Sequence, residues 1–352
     1  MPQKLRVAVI GCGGIASAHH LPRYQELPDV EIAAIADADP ERLQVTGDRF
    51  GISRRYTDYE EMLAREAIDA VDVCTPNHLH AGPTLAAVRA GKHVLCQKPF
   101  ASSLDEATTM ITAAREAGVL LGVIYMQRFT PVYLTAKHLI DQGTIGRVTS
   151  IRARMGHAGG LSASVSPGRW RHTFASFAGS FSLLATHHAD LLRWFVGPVK
   201  QVAAIGKTLV CPMEGDDNMG CVLEFENGAV GILDSCYNER PGSNVVEIYG
   251  DRGTILCATD GTLRYYAAAE VETMLPVGGV GAEGAHWVTI APEDHPKLSD
   301  FSSYHAHWVH CVRTGETPVT PGEEGRASLE IILAAYQSSA SRQFVNLQHQ
   351  RW

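Results

Sequence analysis

Three kinds of pattern are missing from this sequence, and each absence excludes a class of protein. There is no long cluster of Lys and Arg, and the formal net charge is -8, so a nucleic-acid surface, which needs a basic face, is not expected. No apolar run is long enough to span a bilayer. The run VAVI near the N-terminus is too short for a signal-peptide core. We therefore expect a cytoplasmic protein with no nucleic-acid or membrane partner.

Metal and disulfide frameworks are also not indicated. The eight cysteines are scattered without a CxxC pair, so we expect small buried side chains in a reducing compartment. Two histidine clusters occur, His78 with His80 and the run HAHWVH from His305 to His310. In neither cluster does a nearby acid or cysteine complete a tetrahedral set. We predict no metal.

The composition suits a two-domain globular protein, with 45% hydrophobic and 19% charged residues over 352 positions. The first part alternates short apolar runs with helical segments, which is typical of a doubly wound parallel sheet. We predict five strands there, Leu5–Ile10, Val30–Ala36, Asp69–Cys74, Lys92–Cys96 and Leu120–Tyr125. This segment, residues 1–125, is expected to form a Rossmann domain.

The second part, residues 126–352, has longer runs in which apolar and polar residues alternate. An Asn-Gly turn at 227–228 inside such a run predicts a hairpin. We therefore expect an α/β fold in two domains, the second built on a large, mostly antiparallel and open-faced sheet.

The turn after the first strand carries GxGxxA at Gly11, Gly13 and Ala16. Such a turn lets the backbone approach a pyrophosphate at a helix N-terminus, so Cys12, Gly14 and Ile15 are expected to contact a dinucleotide as well. Asp37 follows about 20 residues later, where an acid binds the ribose hydroxyls. Its carboxylate would repel a 2′-phosphate, which favours NAD. Arg42 lies close enough to leave NADP open.

The chain resembles the Gfo/Idh/MocA family of nicotinamide-dependent oxidoreductases over nearly its whole length. The segments that carry the resemblance are, in order, GCGGIA, CTPNHLHAG, AGKHVLCQKPFA, QRFTP, IDQGTIGRV, GRW with Arg171, HHADLLRW, FENGAVGIL, VEIYGDRGTI and TPVTPGEEGRASLEIILAAYQSSA. The resemblance implies an enzyme that transfers hydride between nicotinamide and a secondary alcohol of a sugar, inositol or related cyclic polyol.

Lys98 is the residue that the resemblance marks as the principal acid/base. In the family it stands in Glu-Lys-Pro at the carboxyl end of a Rossmann strand, before a commonly cis peptide bond, and contacts substrate. Burial and the positive nicotinamide should lower the pKa of its amine. Gln97 replaces the glutamate here, which removes a negative charge, so Lys98 should hold its proton less tightly.

The family also carries an Asp and a His four residues apart on one helix face. In this chain His187 takes the histidine position as second catalytic residue, but Leu183 takes the aspartate position. The carboxylate is therefore missing, and Leu183 is expected to line the substrate site. His188 is the alternative histidine if the alignment shifts by one residue.

Other site residues follow from the same resemblance. Those expected at the cofactor are Thr75, Pro76, Asn77, Gln97 and Lys98, with His80 beside them or capping a helix. Those expected at the substrate are Tyr125, Arg128, Trp170 and Arg171. For each of the two arginines, a purely structural role is an equal alternative to substrate binding.

Three alternatives to the polyol dehydrogenase stay open. A cyclic dihydrodiol dehydrogenase would suit a less polar site at Leu183. An NAD-dependent glycosidase or lyase working by transient oxidation, or a non-catalytic NAD-binding sensor, would show no net cofactor turnover. In the resembled family the open sheet face commonly packs against another subunit, which implies a homodimer or homotetramer.

Overall fold

The computed structural model describes residues 3–267 and 287–349. The chain divides into two compact units. The first contains Met1–Met126, Thr173–Ala178 and Phe301–Glu330, and the second contains Gln127–His172, Gly179–Asp300 and Ile331–Trp352. The first unit thus adds two later segments to the residues expected to form the Rossmann domain.

A six-stranded parallel sheet forms the centre of the first unit. Its strands are β1 (Leu5–Ile10), β2 (Val30–Ala36), β3 (Arg55–Tyr56), β4 (Ala70–Val73), β5 (His93–Cys96) and β6 (Leu121–Val123). Their order is β3-β2-β1-β4-β5-β6, and each neighbouring pair is parallel. Because the strand order reverses between β1 and β4, the sheet is doubly wound, as predicted.

Helices separate these strands. They are α1 (Leu21–Gln25), α2 (Pro40–Phe50), α3 (Tyr59–Arg65), α4 (Ala81–Arg89) and α5 (Leu104–Glu116). A π-helical turn, Ala16–His20, leads into α1. The Asp39 carboxylate caps α2 by accepting from two backbone N–H groups, which satisfies donors that the first turn leaves unpaired.

The second unit contains a nine-stranded mixed sheet. Its strands are β7 (Val148–Gly156), β8 (Val199–Lys207), β9 (Asn218–Phe225), β10 (Val230–Cys236), β11 (Ser243–Gly250), β12 (Gly253–Cys257), β13 (Leu263–Ala267), β14 (Val288–Ile290) and β15 (Val345–Asn346). The order is β14-β13-β12-β11-β7-β10-β9-β8-β15. Only β7 and β10 pair in parallel among these described strands. The β9–β10 hairpin forms at the predicted turn, where Gly228 has φ +84°.

The sheet of the second unit has one face packed by helices. The remaining helices of the chain are α6 (Pro131–Asp141), α7 (Thr186–Val196), α8 (Tyr304–Thr314) and α9 (Gly322–Ser341). Helix α6 packs on β12, and α7 packs on β7 and β10. Side chains that alternate with the buried positions of β9 and β10 stay exposed, among them Val222 (45%), Val230 (49%) and Ile232 (39%). The open face is therefore partly apolar.

Two further sequence expectations concern cysteine and membrane spans. All eight cysteines are buried and free of disulfides, which confirms their prediction as small buried side chains. Within residues 3–267 and 287–349, no helix combines the length and apolar character that crossing a bilayer requires.

Candidate active site

The glycine turn after β1 is built for close approach. Gly11 has φ +98°, and a Cβ added there would lie 2.6 Å from the carbonyl carbon of Cys74 at the end of β4. A Cβ added at Gly13 or Gly14 would meet nothing within 4 Å. The close backbone contact and the positive φ therefore require glycine at position 11, whereas open space lies beside the next two glycines. A pyrophosphate needs such space, so the turn fits NAD.

Asp37 is held rigidly after β2. Its Oδ2 accepts from the Cys12 N–H at 2.7 Å, and its Oδ1 accepts from the Asp39 N–H at 2.9 Å. The Arg42 guanidinium pairs with Asp37 at 3.3 Å and with Asp39 at 3.0 Å. A pocket beside this carboxylate is lined by Cys12, Gly13, Gly14, Ser17, Asp39, Glu41, Arg42, Val45 and Thr46. Asp37 thus offers an anchored acceptor where ribose hydroxyls are expected.

Asn77 and His80 hold the loop after β4. Asn77 Nδ2 donates to the carbonyl of Phe177 at 3.2 Å, a residue in left-handed conformation with φ 53°. The two ring nitrogens of His80 lie 2.9 Å from the carbonyl oxygens of Pro99 and Thr75. Burial lowers the pKa of His80 to about 4. Both side chains fix backbone beside the glycine turn, and their contacts with cofactor stay predictions.

Lys98 lies two residues after the end of β5 at Cys96. The ladder with β4 continues one residue beyond β5, since the Gln97 N–H donates to Val73 O at 2.9 Å. The Lys98–Pro99 peptide is cis, as the family resemblance implies. Because β1, β4 and β5 are parallel neighbours, the glycine turn, the Thr75–Asn77 loop and Lys98 share one edge of the sheet. Ligands of open α/β sheets bind at this carboxyl edge.

A buried polar cluster near Lys98 was not predicted from the sequence. His20 Nδ1 lies 2.6 Å from Asp72 Oδ2, and both side chains are fully buried. Burial acts to raise the pKa of Asp72, but its interaction with His20 and with the other surrounding polar groups outweighs burial, and the pKa is lowered. An acid inside the apolar strand DAVDVC was the available signal, because a buried carboxylate needs a partner.

Three residue types that can ligate a metal meet in this cluster, but their side chains bond to one another. Ligand atoms of His20, Asp72 and Cys74 lie within 4.8 Å of one another. His20 and Asp72 bind each other directly, however, and the Cys74 thiol faces Asp72 at 3.6 Å. Burial raises the pKa of the Cys74 thiol well above its ordinary value.

In the second unit, a π-helical turn, Phe181–Ala185, runs directly into α7. Between residues 180 and 192, three side chains retain exposed surface, namely Leu183 (6%), Leu184 (5%) and His187 (8%). Leu183 and His187 are therefore among the few residues of this segment with accessible surface, and their contacts with substrate stay predictions. His188 is fully buried, and its Nε2 lies 2.8 Å from Asn244 Oδ1. This placement favours His187 over His188 as the reactive histidine.

Asp216 fixes the start of this helical segment and was not predicted from the sequence. Its Oδ2 accepts from the Phe181 N–H at 2.9 Å and from the Ser180 hydroxyl at 2.5 Å. The Tyr336 hydroxyl donates to Oδ1 at 2.6 Å. Burial raises the pKa of Asp216, against these hydrogen bonds. The adjacent acids in EGDDN were the only signal, and they do not reveal which helix they would cap.

The expected substrate residues have different surroundings. Tyr125, in the first unit, is fully buried. In the second unit, the Arg128 guanidinium binds the Asp190 carboxylate through two hydrogen bonds. The Arg171 guanidinium lies 5.1 Å from the ring centroid of half-buried Trp170. Contacts of these residues with substrate stay predictions.

Two family models match the chain. Residues 5–125 match an oxidoreductase family with an NAD-binding Rossmann fold, and residues 133–256 match the GFO/IDH/MocA C-terminal domain. With the glycine turn and its parallel sheet, the first match defines the protein as an NAD-dependent oxidoreductase. The two matches together, in the order the motifs indicated, show that the chain belongs to the Gfo/Idh/MocA family.

Individual relatives are dehydrogenases. D-apiose dehydrogenase of Paraburkholderia graminis is 29% identical, over 98% of this chain and 90% of that protein. Levoglucosan dehydrogenase of Pseudarthrobacter phenanthrenivorans is 32% identical, over 72% of this chain and 73% of that protein. A solved structure of levoglucosan dehydrogenase in complex with NADH matches with a TM-score of 0.85 at 27% identity, over 99% of this chain and 100% of that chain.

Proposed function

We propose that the protein oxidises a secondary alcohol of a sugar or related cyclic polyol, with Lys98 as acid/base and His187 assisting. The supporting observation is the placement of Lys98 on the same sheet edge as the glycine turn and the Thr75–Asn77 loop. The substrates that name its relatives, D-apiose and levoglucosan, support the substrate class.

Different residues of the chain would bind the cofactor and transfer the proton. Gly11 to Ile15 and Asp37 would hold NAD, which supplies the hydride acceptor when bound. The Lys98 amine takes the proton of the hydroxyl group as hydride leaves the same carbon. His187 orients that hydroxyl group or passes its proton to water. Because the lysine must accept a proton, the reaction rate should rise with pH.

Leu183 favours a second candidate substrate. Like His187, it keeps some accessible surface, and its side chain offers neither a charge nor a hydrogen bond. A substrate with an apolar ring face, such as a cyclic dihydrodiol, would contact it without leaving a polar group unpaired. The second candidate function is therefore a cyclic dihydrodiol dehydrogenase.

A substrate panel separates these functions. Purified protein is mixed with NAD or NADP and with aldoses, anhydrosugars, inositols, glycosides or cyclic dihydrodiols, and absorbance of the reduced nicotinamide is followed. We expect reduction with one sugar or polyol class. Reduction with dihydrodiols alone would select the second candidate. Binding of NAD without any reduction would contradict both, and product analysis with glycosides would then distinguish hidden redox cleavage from a sensor.

We also propose that the open face of the second sheet is an interface between copies of the chain, in a homodimer or homotetramer. The exposed apolar residues Val222 and Ile232 are direct cross-strand neighbours on this face, and apolar surface of this kind is covered in stable assemblies. Val222→Lys should reduce the mass measured by sedimentation, while Val319→Lys, at another exposed valine, should not. An unchanged mass in Val222→Lys would contradict the interface.

We place the protein in the cytoplasm. Eight free buried thiols support a reducing compartment. Fractionation of cells that produce the protein would test this, and recovery outside the cytoplasm would contradict it.

A further inference from the structure

A continuous chain of hydrogen bonds connects the backbone of Lys98 to the buried acid Asp72. The Lys98 N–H donates to Gln97 Oε1 at 2.9 Å. Gln97 Nε2 lies 2.6 Å from His20 Nε2, and His20 Nδ1 lies 2.6 Å from Asp72 Oδ2. Gln97 is 4% exposed, and His20 and Asp72 are fully buried. Solvent therefore has almost no access to the three side chains that form these hydrogen bonds.

The chemistry of each group fixes the direction of every bond. A backbone N–H can only donate, so the oxygen of the Gln97 amide must face Lys98. Its NH₂ group then faces His20 and can also only donate. His20 Nε2 must therefore carry a lone pair, and the single proton of the neutral ring lies on Nδ1, from which it is donated to Asp72. An imidazolium would place two donors against each other.

The other titratable groups around this chain are neutral. The Cys74 thiol lies 3.6 Å from Asp72 Oδ1, and His305 Nε2 lies 4.0 Å from Asp72 Oδ2. Burial lowers the pKa of His305 to about 3 and raises the pKa values of Cys74 and Tyr24 well above their ordinary values. Beyond them, Tyr304 lies near Tyr24, and the side chains of Arg23 and His19 act on His305. Asp72 is thus the one charged member of the described cluster.

We propose that Gln97 is a positioning residue that locks His20 in its neutral, Nδ1-protonated form and so anchors Lys98 to a network of constant charge. A carboxylate at position 97 would instead accept from both the Lys98 N–H and His20 Nε2. It would draw a second proton onto His20, which would become an imidazolium between two acids. The amide therefore keeps a titrating group away from Lys98. The effect on catalysis rests on the proposed role of Lys98, whereas the state of His20 does not.

The protonation of His20 can be measured without any substrate. In protein labelled with ¹⁵N in its histidine rings, long-range ¹H–¹⁵N spectra distinguish the two neutral tautomers from the imidazolium. The signal that disappears in His20→Gln identifies His20. We expect the Nδ1-protonated pattern in the wild type at neutral pH, and both nitrogens protonated in Gln97→Glu at the same pH. An imidazolium in the wild type at neutral pH, or a neutral ring with its proton on Nε2, would overturn the proposal.

The pH profile of kcat/KM supplies the second readout. Gln97→Glu should add an ionisation that the wild-type profile lacks, because His20 then gains and loses a proton beside Lys98. Gln97→Met removes the same hydrogen bonds without adding a charge, so it should lower kcat without a new ionisation. Identical profiles in all three proteins would overturn the positioning role. Lack of turnover in the wild type would count against the proposed function, and the spectra would still decide the state of His20.

Discussion

Arg128 and Asp190 form a bidentate ion pair inside the second unit. Arg128 Nε donates to Asp190 Oδ2 at 2.9 Å, and Nη2 donates to Oδ1 at 2.7 Å. The side chains are 7% and 0% exposed, so each charge depends on the other for the interactions that water would supply. Asp190 lies three residues after His187 on α7. The pair therefore fixes the helix that presents the proposed catalytic histidine.

Breaking this pair from one side should be costly. Arg128→Met removes the guanidinium that balances the buried Asp190 carboxylate, and we expect the free energy of unfolding to fall by about 3–5 kcal/mol. The double variant Arg128→Met, Asp190→Leu removes both charges and should recover most of that loss. Urea unfolding of the three proteins tests this, and a double variant less stable than Arg128→Met would contradict it.

Two glycines of the same turn should respond differently to alanine. Gly11→Ala places a Cβ 2.6 Å from backbone of Cys74 in a left-handed conformation, and the strain alone costs about 1–3 kcal/mol. Gly13→Ala meets no protein atom within 4 Å, so its unfolding free energy should stay within about 0.5 kcal/mol of the wild type. NADH titration followed by fluorescence should nevertheless show weaker binding in Gly13→Ala. Unchanged affinity would contradict a pyrophosphate at this turn.

Asp37 should set the preference between the two cofactors. Asp37→Ala removes an acceptor for the ribose hydroxyls, so the Kd of NADH should rise about 10- to 100-fold. The Kd of NADPH should change much less, because the repulsion of its 2′-phosphate disappears and Arg42 loses one of its two carboxylate partners, keeping Asp39 at 3.0 Å. Titration of both nucleotides measures this. Equal losses for the two would contradict contact between Asp37 and the ribose.

A buried neutral histidine should make the protein less stable in acid. Burial lowers the pKa of His188 from 6.5 to about 4, so the unfolded chain binds a proton between those values more readily than the folded protein does. The neutral His188 therefore contributes up to about 3 kcal/mol to the free energy of unfolding. This contribution is complete above about pH 6.5 and is lost as the pH falls towards 4. His188→Gln should flatten the decline in unfolding free energy from pH 7 to 5. His138→Gln, at an exposed position of α6, is the control, and equal slopes in both variants would contradict the assignment.

The structural features that depend on a local residue pattern could be predicted from the sequence. The strands Leu5–Ile10 and Val30–Ala36 match their predicted bounds, because apolar runs between turn residues mark buried parallel strands. The sequence could not predict pairs that depend on distant segments meeting. Asp72 and His20 are 52 residues apart, and Asn77 binds Phe177 across 100 residues. An inward-facing polar residue predicts that a partner exists but not which one, so the network beside Lys98 required the structure.

The most direct test of the account is the turnover of Lys98→Met. Lys98 is placed after β5 at the carboxyl edge of the sheet, whereas Lys92 precedes the same strand and provides a matched control. With a substrate found in the panel, kcat of Lys98→Met should fall by at least about 100-fold, with NADH affinity unchanged. Lys92→Met should retain wild-type turnover. Wild-type kcat in Lys98→Met would contradict the central claim that this lysine moves the proton during hydride transfer.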